Sequence, residues 1–291
     1  MIIKATKEST LIELLLEEFG TATKSGVKRM ILNGNILVND HVVTRPVEIV
    51  KPGDKVEYKK FKALPNTWKS PYPVLFEDDV ILVVEKPAGI LTHAEKGTEG
   101  TSLYKEMLEF VKERSKGNER IYVVHRLDRE VSGIILFAKT EPIQEEIKDH
   151  WRETKKKYYA LVHGKPPKEK DTITNWLMEG RDLRVHSVRE QEGAKQAISH
   201  YEVIKEMPAH TLLEVTLETG RKNQIRVHLS EMRCPVVGDW RYGSKDRVKR
   251  RIRLHAYYFS MNHPVTGEFM EFKSRMPRGF LTLLDREERY K

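Results

Sequence analysis

Residues 121–139, IYVVHRLDREVSGIILFAK, decide how the rest of the chain is read. Two strongly apolar segments, 121–124 and 133–139, flank a loop that crowds His125, Arg126, Asp128, Arg129 and Glu130 together before Ser132-Gly133 closes it. Apolar runs of that length are strand-like and must be buried. A carboxylate at the mouth of buried strands is partly desolvated, which raises both its reactivity and the cost of its ionisation. An ordinary charged hairpin loop is the alternative reading of the same residues.

Working outward, Val80-Ile81-Leu82-Val83-Val84 is a further apolar run of strand length, broken by Lys86-Pro87-Ala88-Gly89. Leu103, Met107, Phe110 and Val111 fall at helical spacing behind a Thr101-Ser102 start, so 101–116 is predicted to be a helix. A second helix is expected near 142–153. Strands are expected at 157–164, 198–205, 209–218, 253–260 and 268–273, an amphipathic helix at 222–233, and a last helix after Pro277. Strands and helices mix without strict βαβ alternation. The fold class expected is therefore α+β, a large domain over 74–291 on a mostly antiparallel mixed sheet with flanking helices.

The first sixty residues read as a separate small α/β module. Leu11, Leu14, Leu15 and Phe19 mark one short helix and Val27, Met30 and Ile31 a second. Asn33-Gly34 is the expected stop, and Ile36 to Asp40 the strand and turn that follow. The second helix leaves Lys24, Ser25, Lys28 and Arg29 outside, either as a solvated face or as a phosphate-binding one. Residues 61–73, with three prolines and no period, read as a linker. The element order resembles the small RNA-binding domain named after ribosomal protein S-four, on Ser25, Lys28, Arg29, Gly34, Val38, Asn39, Gly53 and Asp54.

Composition narrows the classes. With 52 Lys+Arg against 43 Asp+Glu the 291-residue chain carries a net charge of +9, which favours a polyanionic partner. No apolar run reaches the ~18 residues of a membrane span. A single cysteine, Cys234, allows no internal disulfide and no thiolate metal cage, so a reducing, cytoplasmic setting is expected. Dinucleotide, Walker and His-Glu-x-x-His motifs are absent, and neither cofactor nor metal is expected.

A second cluster, LETGRKNQIRVHL at 217–229, runs from strand through a glycine turn into the expected helix. A cation at a helix start is disfavoured by the dipole unless an anion faces it; a capped surface helix is the plainer alternative.

Taken in order, EKPAGILTH, HRLD-x-x-x-SG, KKYYALVHG, LETGRKNQIRVHL, VVGDWRYG and RLHAYYFSMNHPVTGE resemble the RluA-type pseudouridine synthase family, over essentially all of 74–291. The resemblance implies Asp128 as the catalytic carboxylate, Tyr158 as the residue stacking on the uracil, Arg221 as the partner of Asp128, and Arg126 as an aid in displacing the target nucleotide. Contact with RNA is expected from Arg126, Lys24, Ser25, Lys28, Arg29 and Arg226. Further grip is expected from Arg152, Lys155, Lys156 and Lys157 and from the basic run Arg241 to Arg253. Val131 stands where the family has threonine, which removes one hydroxyl from the loop.

The function implied is cofactor-free isomerisation of uridine in structured RNA, by base flipping and an Asp-dependent step. Large-subunit ribosomal RNA is the expected substrate, with transfer RNA as the alternative, and the protein is expected to be a monomer. A catalytically silent RNA-binding protein would have no reason to keep Asp128 and a matching arginine in distant segments. A nuclease or glycosidase would need a second carboxylate, for which Glu130 is the candidate, on the wrong alternation if the loop is extended.

Overall fold

The computed structural model describes residues 2–20, 23–32, 36–39, 41–43, 45–58, 70–94, 101–245, 252–280 and 282. Over the first sixty residues the elements are β1 (Ile2–Lys4), β2 (Ser9–Thr10), α1 (Leu11–Glu18), α2 (Lys24–Leu32), β3 (Ile36–Val38), β4 (His41–Val42), β5 (Ile49–Val50) and β6 (Lys55–Tyr58). They share one core, in which Leu11, Leu14, Leu15, Val27 and Ile31 meet Ile36, Val50 and Val56. The start of α1 is fixed by a capping box between Thr10 and Glu13. Asn39, at φ +50°, donates through Nδ2 to Asp54 at 2.8 Å and accepts from the Lys55 amide at 2.9 Å. The Asn and Asp of the motif thus hold one another across the turn. The Asn33-Gly34 helix stop and linker residues 61–69 lie outside the described residues.

The larger part of the chain comprises β7 (Val74–Glu77), β8 (Ile81–Lys86), α3 (Leu103–Arg114), β9 (Tyr122–Val123), β10 (Ser132–Ala138), α4 (Glu141–Asp149), β11 (Lys155–His163), β12 (Lys170–Glu179), β13 (Val185–Val188), β14 (Lys195–Glu206), β15 (His210–Leu217), α5 (Gln224–Glu231), β16 (Leu254–Asn262) and β17 (Phe269–Lys273). These strands form a single sheet ordered β13-β12-β14-β15-β11-β16-β10-β8-β7, with β17 beside β16 and β9 beside β10. Every pairing is antiparallel except β10 with β16, so the fold is a mixed α+β sheet as expected.

The continuous apolar runs of β8 and β10 follow from burial on both faces. Leu82, Val84, Ile135 and Phe137 face the core under α3, while Ile81, Val83, Ile134 and Leu136 face α4 through Ile143 and Ile147. α3 opens on Ser102, whose Oγ accepts from the Lys105 amide, and α4 on Thr140 with Pro142 in its first turn. The helix read as 142–153 ends at Asp149 and continues as a 3₁₀ turn, Trp151–Glu153. The expected C-terminal helix begins at 278–280, and most of it lies outside the described residues.

The parallel junction of β10 and β16 explains the glycine that closes the loop. Gly133 has φ +130°, and a Cβ there would lie 2.2 Å from the Ala256 carbonyl oxygen. Gly133→Ala is expected to destabilise the protein by more than about 3 kcal/mol, since neither backbone can move aside inside the sheet. Urea unfolding checks this, and a midpoint equal to wild type would contradict so close a junction.

Candidate active site

The loop between β9 and β10 is held from below by residues of the KPAGILTH segment. Lys86 is fully buried, and its Nζ donates to the carbonyls of Ile90 (2.8 Å), Pro87 (3.1 Å) and Arg129 (3.2 Å). Burial pushes its pKa down to about 8, against the pull of Asp128 and Glu130. Thr92 Oγ1 donates to the Leu127 carbonyl and accepts from its amide, and the Gly89 amide donates to the Arg129 carbonyl at 2.7 Å. Val131 is 3% exposed, with its methyl groups in the core and its amide on the Asp128 carbonyl at 3.2 Å. The missing threonine hydroxyl therefore costs the loop little: backbone and Thr92 close it.

Asp128 projects from this loop toward α5. Arg226 Nη1 donates to its Oδ2 at 3.0 Å, and Asn223 Nδ2 donates to the same oxygen. Asn223 stands immediately before α5 at φ +53°, and its side chain serves the carboxylate instead of capping the helix. Arg226 also grips Asp239, Nε to Oδ2 at 2.6 Å and Nη2 to Oδ1 at 2.9 Å, and lies 5.0 Å over the Tyr242 ring. Burial opposes its charge, but the hydrogen bonds and attraction of Asp239, with Asp128 behind them, outweigh it and raise its pKa. Tyr242 donates to Asn223 Oδ1 at 3.2 Å and accepts from the Val185 amide at 3.1 Å, which completes the ring of contacts.

Arg226, and not Arg221, makes the ion pair expected with Asp128, although Arg221 lines the same cavity. Arg221 is exposed, and its Nε donates to the Gln196 carbonyl at 2.9 Å. The ion pair with Asp128 is made by Arg226, which is 4% exposed and not an outward RNA-facing cation. The reason is helical geometry: α5 begins after Asn223, so Arg221 lies in the turn before it, while Arg226 is carried inward beside Ile225 and Val227. Gln224 secures that turn, accepting from the Arg221 amide and Thr219 Oγ1 and donating to Ile198 O and Ser199 Oγ.

Glu130 also departs from expectation. Residues 129–130 form a turn, not an extended strand, and Glu130 Oε2 comes within 3.8 Å of Arg226 Nη1. Tyr158 is 9% exposed and shares one cavity with Asp128, Val131, Arg126 and Leu217. A register shift between Lys157 and Tyr158 in the pairing of β11 with β16 sets its direction. Burial, and then the Asp128 charge, push its phenol above the ordinary range, so it is a neutral phenol at pH 7.

Of the remaining expected residues, Arg126, Lys24, Arg152 and Lys155 are exposed and Lys28 is half-exposed. The side chains of Ser25 and Arg29, and residues 246–251 of the basic run, lie outside the described residues. Two lysines expected to grip phosphates are otherwise engaged. Lys156 is buried over the Trp151 ring at 4.6 Å, and Lys157 pairs with Glu214 at 2.5 Å. Cys234 is buried in the main core.

Three histidines support the sheet as neutral rings. His255 lies between Ser132 Oγ (2.8 Å) and Ser274 Oγ (3.0 Å), His228 between Ser199 Oγ (3.0 Å) and Asn175 Oδ1 (2.7 Å), and His125 stacks on Phe259. Burial pushes His255 and His228 down to about 4 and His125 down to about 3. In the unfolded chain these rings protonate near pH 6.5, so the unfolded state binds more protons below that pH. Their contribution is complete above pH 6.5 and is lost as the pH falls toward 4. A lower urea midpoint at pH 5 than at pH 7.5 is expected; equal midpoints would contradict neutral buried imidazoles.

Comparison with known proteins agrees with this architecture. Residues 80–231 match the family model described as RNA pseudouridylate synthase, and residues 14–56 match the S4 domain. The chain is 30% identical over 304 residues to ribosomal large subunit pseudouridine synthase D of Vibrio cholerae, covering 96% of this chain and 91% of that one. It is 31% identical to the protein of the same name in Pseudomonas aeruginosa, covering 94% and 90%. Among solved structures, human RNA pseudouridylate synthase domain containing 4 shares the fold with a TM-score of 0.63 at 24% identity, over 74% of this chain and 93% of that one. The synthase model spans more than half of the sequence, HRLD loop and α5 included, and on that match the chain belongs to the RNA pseudouridylate synthase family, with an S4 domain at its N-terminus.

Proposed function

We propose that this protein isomerises uridine to pseudouridine in large-subunit ribosomal RNA, with Asp128 as the catalytic carboxylate. The observation that carries the reading is the convergence of Arg226 and Asn223 on Asp128 Oδ2 beside the buried Tyr158. The substrate assignment is supported by the relatives in Vibrio cholerae and Pseudomonas aeruginosa, both named as ribosomal large subunit pseudouridine synthases. In this reading residues 1–60 act as an RNA-binding module, 61–73 as a linker and 74–291 as the catalytic domain.

The reaction breaks the bond from uracil N1 to the ribose, turns the base and joins it through C5. N1 gains the proton that C5 loses, so nothing is consumed. Asp128 is held against the Arg226 guanidinium, with both polar contacts on Oδ2 and Oδ1 left for the substrate. Tyr158 offers a ring face to the detached base and a neutral phenol able to pass a proton. Extruding a uridine from folded RNA costs a few kcal/mol, and the exposed Arg126 can fill the place it leaves.

Carbodiimide-adduct mapping of ribosomal and transfer RNA from cells lacking the gene tests this. One or more large-subunit sites should vanish and return with the wild-type gene. Loss of a transfer-RNA site alone would move the substrate, and no lost site would remove the reading.

A further inference from the structure

A second cleft of about 360 Å³ lies beside the catalytic cluster, between β13 and the turn Trp240–Gly243. It shares a wall with the site: Tyr242, which lines it, carries the Arg226 guanidinium over its ring and donates to the Asn223 side chain that holds Asp128. Two arginines stand in its wall. Arg184 and Arg241 line it together with His186, against one carboxylate, Glu231, which is engaged by Asn175 Nδ2 at 3.0 Å. Asp182, beside the cleft, faces His186 at 3.2 Å and Arg184 at 3.8 Å.

Arg241 is arranged differently from the paired Arg226. Its Nη2 donates to the Leu183 carbonyl at 2.5 Å, while its Nε is buried and has no hydrogen-bond partner among the described residues. A buried guanidinium N–H without an acceptor is costly, and its natural complement is an arriving anionic oxygen. Two exposed apolar side chains adjoin it outside the cleft lining, one next to it in sequence and one on the residue whose carbonyl it holds. Trp240 is 59% exposed, and Leu183, held at φ +59° at the tip of the β12–β13 hairpin, is 67% exposed. Strain in an exposed leucine and a solvent-facing tryptophan beside an unsatisfied arginine are features of a surface built to be covered.

We propose that this cleft binds a nucleotide adjacent to the target uridine, its phosphate on Arg241 and Arg184 and its base stacked on Trp240. The inference rests on the RNA-modifying reading above and adds to it a contact that fixes which strand register presents its uridine to Asp128. Phosphate contact contributes salt-dependent affinity, and stacking contributes affinity that is insensitive to salt.

The test uses the full-length protein and an unmodified large-subunit ribosomal RNA fragment carrying the uridine that the wild type converts. Arg241→Gln and Arg184→Gln should each raise KM about tenfold at 0.15 M salt, leave kcat within about twofold, and lessen the slope of log affinity against log salt by about 1. Trp240→Ala should raise KM by about tenfold without changing that slope. Trp240 is exposed and Arg184 half-exposed, so their variants keep the test decisive should Arg241→Gln loosen the hairpin. Wild-type KM and slope in both arginine variants, or raised KM with an unchanged slope in both, would overturn the assignment while the wild type remains active. A wild type that makes no pseudouridine in any RNA would instead remove the parent reading, and this one with it.

Discussion

Asp128→Asn is expected to lower kcat by about 10⁴-fold or more while leaving affinity for RNA within a few-fold of wild type. The substitution keeps the shape of the side chain but removes the charge that Arg226 and Asn223 are placed to hold. RNA affinity should survive, because Asp128 is one neutralised carboxylate in a chain of net charge +9, and grip on phosphate comes from cations elsewhere. Single-turnover kinetics and filter binding on the same protein separate the two quantities. An active Asp128→Asn protein would show that the carboxylate is structural, and equal losses in binding and turnover would show that the loop had collapsed.

Arg226→Met is the second large effect, and it falls on stability as well as activity. Arg226 neutralises Asp239, whose side chain is 1% exposed, and Asp128 at once. Removing it leaves a buried carboxylate unpaired, which costs about 3–5 kcal/mol and lowers Tm by roughly 10 °C. Asp239→Asn in the Arg226→Met background should restore much of that stability, because the buried charge is then gone, and none of the activity. Thermal unfolding and pseudouridine formation measured on both variants check this. Full recovery of activity in the double variant would contradict the pairing of Arg226 with Asp128.

The elements with a strong period were legible from residues alone. β8 and β10 announce themselves as apolar runs because helices cover both faces of the sheet there, and α3 by its spacing and Ser102 cap. β12 and β13 escaped reading because Lys170–Glu179 is largely half-exposed, so Ile173, Trp176 and Leu177 stand among polar residues without a continuous run. That hairpin is the one that carries Leu183 and Arg184 to the second cleft. In the site, the loop carboxylate and Tyr158 could be named in advance, whereas the choice between Arg221 and Arg226 depended on where α5 begins. The signal for it was present in Asn223: a residue tolerant of positive φ, three before Arg226, marks the helix boundary that turns Arg226 inward. The place of Glu130 depended on whether the loop is extended, and at 129–130 the chain turns.

If the carboxylate held by Arg226 and Asn223 makes pseudouridine, its removal must abolish exchange at uracil C5. The direct measurement is tritium release from unmodified large-subunit ribosomal RNA labelled at uracil C5, with adduct mapping of the product, using purified wild type and Asp128→Asn. Release matched by adducts at defined uridines is expected with wild type and neither with the variant. Release by both proteins, or by neither, would contradict it.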